Sequence, residues 1–159
     1  MSETISINTG PLVALSYGRV IDLMGQLSIR FICPLEVIAE VGTPGVGGRP
    51  AIDVPNWLEV ISLDQPPAPK IASDIDPAEA AVIQLAIEEK ADWVCIDESK
   101  ARLIAKSMGI HVTGSLGLLG RLKRQGHIGS VGSIVETIRN AGYWYSPALV
   151  EQFLAAMGE

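Results

Sequence analysis

Apolar positions along the chain recur with a strand-like period and a helix-like period by turns. Thr4 to Ile7 alternates weakly and stops at Asn8-Thr9-Gly10-Pro11, which predicts a first strand and a turn. A helix follows over Leu12 to Tyr17, and a second short helical piece over Val20 to Met24. Ser28 to Ile32 is β-branched and aromatic, hence the second strand. Pro34 opens a helix to Val41 that buries Val37, Ile38 and Val41. Gly42 to Pro50 holds four Gly and two Pro in nine residues and reads as a loop. Trp57 to Leu63 alternates as a strand, and the Pro-rich run Gln65 to Lys70 reads as structureless.

The stretch from Asp76 to Glu98 is the most informative. Asp76 is a good N-cap, Pro77 suits the first helical position, and Glu79 stands three residues after the cap. The helix runs to Lys90, a short apolar strand occupies Trp93 to Ile96, and Asp97 stands where it stops. Ser99 to Ser107 is a helix, Ile110 to Val112 a strand and Ser115 to Lys123 a helix ended by Gly126. Ser130 to Asn140 and Pro147 to Met157 are two more helices. Strands alternating with helices of this length predict βαβ units and a parallel sheet. No internal repeat or long linker divides the chain. One domain over residues 1–159 is expected, with residues 129–159 as a helical appendage.

Composition narrows the class. Of 159 residues, 48% are hydrophobic and 19% charged, which is core-rich rather than disordered. No apolar run approaches the ~18 residues a membrane span needs. The first basic residue is Arg19 and no apolar h-region precedes it, so no signal peptide, no membrane and a cytoplasmic setting are expected. Cys33 and Cys95 each sit in an apolar strand, as small core residues. The net charge of −6 argues against a general nucleic-acid binder. Ser99 to Val135, however, contains no Asp or Glu and six of the twelve basic residues, among them Lys100 and Arg102. That segment is either a local phosphate-binding face or a set of solvated helix faces.

Much catalytic chemistry is missing. His111 and His127 have no partner at ligand spacing, no Ser sits in a nucleophile elbow, and no phosphate loop of the GxxxxGK[ST] form is present. Gly45, Gly47 and Gly48 resemble such a loop only superficially. Thr113 to Gly120, TGSLGLLG, follows a strand and opens a helix, so its amides suit an anion; N-capping by Thr113 or Ser115 with glycines for close packing is the bland alternative.

Carboxylates remain. Glu79 shares the buried stripe of its helix with Val82, Ile83 and Ala86, or else completes a capping box on Asp76. Asp97 ends a strand, or else caps the helix from Glu98. Glu40 sits near the end of its helix, where it opposes the helix dipole. Asn8 closes the first strand and would point into the same crevice. Carboxylates that converge repel one another unless a hard cation such as Mg²⁺ or Mn²⁺ neutralises them.

Six blocks occur in an order that resembles the PIN-domain family of metal-dependent ribonucleases, in particular a prokaryotic subfamily of predicted nucleases. They are NTGPLVAL, PLEVIAEV, DPAEAAVIQLA, VCIDE, VTGSLGLLGRLKRQG and AGYWYSPALVEQFL, and they span nearly the whole chain. The resemblance implies a three-layer α/β/α sandwich with a mainly parallel sheet and extra C-terminal helices. It implies that Glu40, Glu79 and Asp97 bind Mg²⁺ or Mn²⁺ and position the attacking water, with Glu98 peripheral. Thr9, Thr113, Ser115, Lys100 and Arg102 would meet RNA or its phosphate. The family's first acid is here Asn8, which offers a neutral carbonyl oxygen as fourth ligand, so metal affinity and activity are expected to fall. The implied role is the toxin of a toxin–antitoxin pair, acting on RNA, bound by a small antitoxin protein and dimeric with its own copy. The alternative is a PIN fold without catalysis that binds RNA or a partner protein. An unrelated phosphate-responsive α/β domain would want acids at the end of the first strand, and Asn8 does not supply them.

Overall fold

The computed structural model describes residues 2–45 and 48–159; Gly47 of the glycine cluster lies outside the described residues. Five strands build the sheet: β1 Glu3–Ile7, β2 Ile29–Cys33, β3 Leu58–Val60, β4 Trp93–Cys95 and β5 His111–Thr113. They lie in the order β3-β2-β1-β4-β5, and every pairing is parallel. β1 is therefore central, with Ile5 opposite both Phe31 of β2 and Trp93 of β4. Parallel strands are buried on both faces and read as continuous apolar runs. Of the three polar residues in β1, Glu3, Thr4 and Ser6, Ser6 is fully buried and donates its hydroxyl to the Val82 carbonyl at 2.9 Å.

Among the described residues the α-helices are α1 Thr9–Tyr17, α2 Leu35–Val41, α3 Pro69–Ala72, α4 Pro77–Glu88, α5 Ser99–Ser107, α6 Ser115–Arg124, α7 Val131–Asn140 and α8 Pro147–Ala156. They flank the sheet as a three-layer α/β/α sandwich. Helix α4 starts where the sequence requires, since Asp76 accepts from the Glu79 amide at 2.9 Å and Glu79 accepts from the Asp76 amide at 3.2 Å. That reciprocal pair satisfies two of the donors every helix start leaves open. α7, α8 and the segment joining them share the core: Val131, Val135 and Ile138 of α7, Tyr145 of the joining segment and Val150 of α8 pack in the same cluster as Ile5 and Ile7 of β1. Glu159 ties α8 to the start of α7. It accepts from the Val131 and Gly132 amides at 2.8 and 2.9 Å and pairs with Lys123 at 2.8 Å. Lys123 first, then the two amides, hold its carboxyl down at about 2.

The structure departs from the sequence reading at edges and prolines. β3 covers three residues of the seven expected, because it is an edge strand that pairs only with β2. The Pro-rich run ends in α3, a single turn that Pro69 opens at its first position. Val20 to Met24 gives way to a 3₁₀ turn over Ile21–Gln26. Its start is fixed from outside, by the Trp57 indole donating to the Ile21 carbonyl at 2.9 Å. Both cysteines are free and buried, and burial pushes the Cys33 thiol up to about 12.

The shared core predicts one transition. Ile138 on α7 is fully buried, so Ile138→Ala should lower global stability by about 2–5 kcal/mol in urea. Circular dichroism and tryptophan fluorescence should then trace a single curve; a separate early transition would show that the last helices fold independently.

Candidate functional site

The chain leaves β1 towards β2 and β3, then returns to β4 on the other side of β1. In open α/β sheets a crevice forms outside the carboxyl ends at such a switch of direction. Asn8 and Asp97 end the two strands that flank it. The Asn8 amide donates to the Cys95 carbonyl at 3.0 Å, which locks the two strand ends together. Asn8 occupies the N-cap position of α1, yet its side chain caps nothing. It is 6% exposed, and its Oδ1 and the neighbouring Thr9 Oγ1 are buried without a hydrogen-bond partner among the described residues. A buried oxygen left unpaired costs about 1–3 kcal/mol, so two in succession need a reason.

Asp97 is held by residues far along the chain. Its Oδ1 accepts from the Ser115 amide at 2.7 Å, and its Oδ2 from the Ser115 hydroxyl at 2.7 Å and the Tyr143 hydroxyl at 2.5 Å. The Ser115 hydroxyl also meets the Tyr145 hydroxyl at 2.5 Å. Burial, and then the Asp97 charge, push both tyrosine hydroxyls well above their ordinary range, so both are neutral donors. Two glycines make room. A Cβ on Gly114 would lie 2.6 Å from Asp97 Oδ1, and one on Gly10 would lie 2.9 Å from the Tyr143 hydroxyl. A carboxylate has about four acceptor positions. Three are taken, and the fourth is on Oδ1.

The bland reading of Asp97 is therefore overturned: α5 is capped by Glu98, whose side chain accepts from the Ala101 amide at 2.9 Å. Neither Thr113 nor Ser115 caps α6; Gly114 holds that position without a side-chain bond. The α6 amide does meet an anion, and the anion is Asp97 itself. Ser115, expected to meet phosphate, is fully buried with its hydroxyl and amide taken up by Asp97 and Tyr145.

Both readings of Glu79 hold at once. It completes the capping box, and it is buried at 7% exposure. Burial first, then the Asp76 charge and, more weakly, Glu98, push its carboxyl up to about 7. Glu40 lies exposed in the last turn of α2, beside Arg49, which donates to the Glu40 and Thr43 carbonyls at 3.3 Å. Among the described residues no three His, Cys, Asp or Glu side chains gather as metal ligands.

The acid-free segment does not form one basic face. Arg121 binds Glu3 at the amino end of the sheet and lies 5.5 Å from the Trp93 ring, while Lys123 binds Glu159. Arg102 does reach the carboxyl end, where it donates to the Ile96 carbonyl at 2.7 Å. Lys100 is exposed in the first turn of α5 and Thr113 is half-buried at the end of β5. Sequence reasoning missed Tyr143 and Tyr145. Their signal was the dense aromatic run Tyr143-Trp144-Tyr145, which local pattern alone reads as packing or an interface.

The donors at the crevice are one neutral amide oxygen without a partner and one carboxylate with one position left. That set fits a cation that keeps several waters and takes substrate phosphate as a ligand, rather than a closed protein cage. The architecture is an open parallel α/β sheet with a braced acid at its switch point. The family model described as "DUF3368: PIN domain" matches residues 4–159, and the chain belongs to the PIN-domain family. It matches no curated protein and no solved structure. No helix among the described residues is long and apolar enough to cross a membrane.

Two predictions follow from the held acids. Glu79 keeps, in the metal-free native state, a proton that the unfolded chain releases near 4.5. Stability should therefore fall as pH rises from about 4.5 to about 7 and level off above. Gln serves equally at the third capping position, so Glu79→Gln should be more stable than the parent at pH 8, by up to about 3 kcal/mol. The two should converge near pH 4.5, and thermal melts across that range decide it. Tyr143→Phe should cost about 1.5–3 kcal/mol, the value of a hydrogen bond to a charged group; an unchanged melt would remove Tyr143 from the support of Asp97.

Proposed function

We propose that the chain is a metal-dependent endoribonuclease of PIN type, weakened by Asn8, whose cation is completed by its RNA substrate. The observation that carries this reading is the pair of buried, unpartnered oxygens on Asn8 and Thr9 beside a braced carboxylate at the switch point. Mg²⁺ or Mn²⁺ would be held by Asn8 Oδ1 and Asp97, with Glu79 and Glu40 as the further acids of the family pattern. When bound, the cation would lower the pKa of a water and offset charge on the phosphoryl group. Ser115 and Tyr143 hold Asp97 in one orientation. The Thr9 hydroxyl, buried and without a partner among the described residues, adjoins Asn8 at the start of α1. The resemblance adds a toxin role, a small antitoxin protein and a homodimer.

A second reading is a PIN-fold module that binds RNA without cutting it. It draws on the neutral Asn8 and on an Asp97 that already accepts three hydrogen bonds.

Asn8→Asp separates the two. As a nuclease, it should gain Mn²⁺ affinity and cleavage of labelled single-stranded RNA together, by about tenfold or more, since ligand charge sets affinity. Glu79→Gln and Asp97→Asn should abolish cleavage while the fold persists by circular dichroism. Equal cleavage by parent and Asn8→Asp would remove position 8 from the ligand set. Absence of both cleavage and Mn²⁺ uptake in calorimetry would leave the binding module.

A further inference from the structure

A cavity of about 530 Å³ opens beside Asp97, between the starts of α5, α6 and α8. Leu149 and Phe153 of α8 give it apolar walls, Arg102 and Thr113 give it polar ones, and Trp144 stands against it. Trp144 is 77% exposed, the most exposed of the large apolar side chains among the described residues. Its backbone is nonetheless pinned on both sides, because the Tyr143 hydroxyl is bound to Asp97 and the Tyr145 hydroxyl to Ser115, each at 2.5 Å. The indole thus leaves a fixed point of the chain and also borders a second cavity of about 340 Å³ with Arg139 and Pro147. A rigid aromatic ring presented to solvent at low entropic cost suits stacking rather than core packing.

We infer that this cavity is a subsite for one unpaired nucleotide of single-stranded RNA, its base stacked on Trp144 and its phosphate on Arg102. The inference rests on the ribonuclease reading, since it places the base one step from the carboxylate proposed to act on the backbone. Charge favours RNA over a protein partner. α5, β5 and α6 come from the segment without Asp or Glu, and Arg102 pairs with no carboxylate among the described residues. Size favours it as well. A cavity of this volume accepts a nucleotide, whereas a stable protein partner covers about 800 Å² per side. Stacking is tolerant of sequence because every base has a π-face, so the subsite selects unpaired strands, not a particular base.

The test uses the full chain in EDTA with 5′-fluorescein-labelled hexaadenylate and hexauridylate, read by anisotropy. Trp144→Ala should weaken both by about 5- to 100-fold, and Trp144→Phe should retain most of the affinity. Arg102→Gln should weaken binding and reduce the slope of affinity against salt by about one. The melting temperature of Trp144→Ala should match the parent, because the indole is exposed. Equal affinity of Trp144→Ala and parent, or equal competition by duplex RNA of the same composition, overturns the inference. So does a change in oligomeric mass on Trp144→Ala with RNA affinity unchanged, which would make the surface an interface between copies. Binding is read without metal, so absence of cleavage in every variant would defeat the nuclease reading alone. Cleavage that persists with unaltered KM and affinity in Trp144→Ala would defeat the subsite alone.

Discussion

Asp97 takes its hydrogen bonds from residues that lie 18 and 46 positions further along the chain. The carboxyl end of the sheet depends on that convergence. Without Ser115 and Tyr143 the carboxylate would be one more surface acid at a strand end, free to rotate. With them it is fixed between the start of α6 and the segment that joins α7 to α8. The bonds also work in the other direction. They fasten that joining segment to the sheet, keep Trp144 where it is, and bring the Tyr143 hydroxyl against Gly10 of α1. One charge thereby orders three parts of the molecule that share no secondary structure. Hydrogen bonds to a charged group are about twice as strong as neutral ones, which is why a single side chain can do this.

The two acids at this end of the molecule are handled oppositely. Asp97 meets donors on both oxygens. Glu79 is buried, accepts one amide, and faces the charges of Asp76 and Glu98, so it holds its proton up to about pH 7. A capping residue on the buried stripe of a helix carries two demands at once: the helix start wants an acceptor, and the apolar neighbours penalise its charge. A cation near Glu79 would relieve the second demand without disturbing the first. The orphaned Asn8 Oδ1 expresses a similar incompleteness. In both, the protein keeps a buried polar group at some cost to its own stability.

The fold was largely legible because its signals are local. Parallel strands read as short apolar runs, Asp76-Pro77 and Glu79 announce α4 within four residues, and the alternation of periods gives the βαβ order. What was misjudged depended on neighbours. β3 is shortened by having one partner, and the 3₁₀ turn is fixed by an indole 36 residues away. The site was legible only in part. Asn8, Glu79 and Asp97 announce themselves as polar residues where an apolar element ends or packs. The use of Ser115 as a brace, and the tyrosines at all, cannot be read from periodicity, because a hydrogen bond across 46 residues leaves no repeat in the sequence. Glu40 stands out locally only as an acid opposing its helix dipole; its grouping with the other acids came from the family pattern, and it lies exposed in the last turn of α2.

The bracing of Asp97 by Tyr143 has a consequence for the order in which the molecule comes into being. Chains are made from the N-terminus, and their earlier parts begin to fold first. Every strand of the sheet, and Ser115, precede Tyr143, so the sheet can assemble on the ribosome while its acid still lacks the tyrosine bond. The braced crevice is thus a late product of folding, complete only when the aromatic run has docked on a sheet that is already formed.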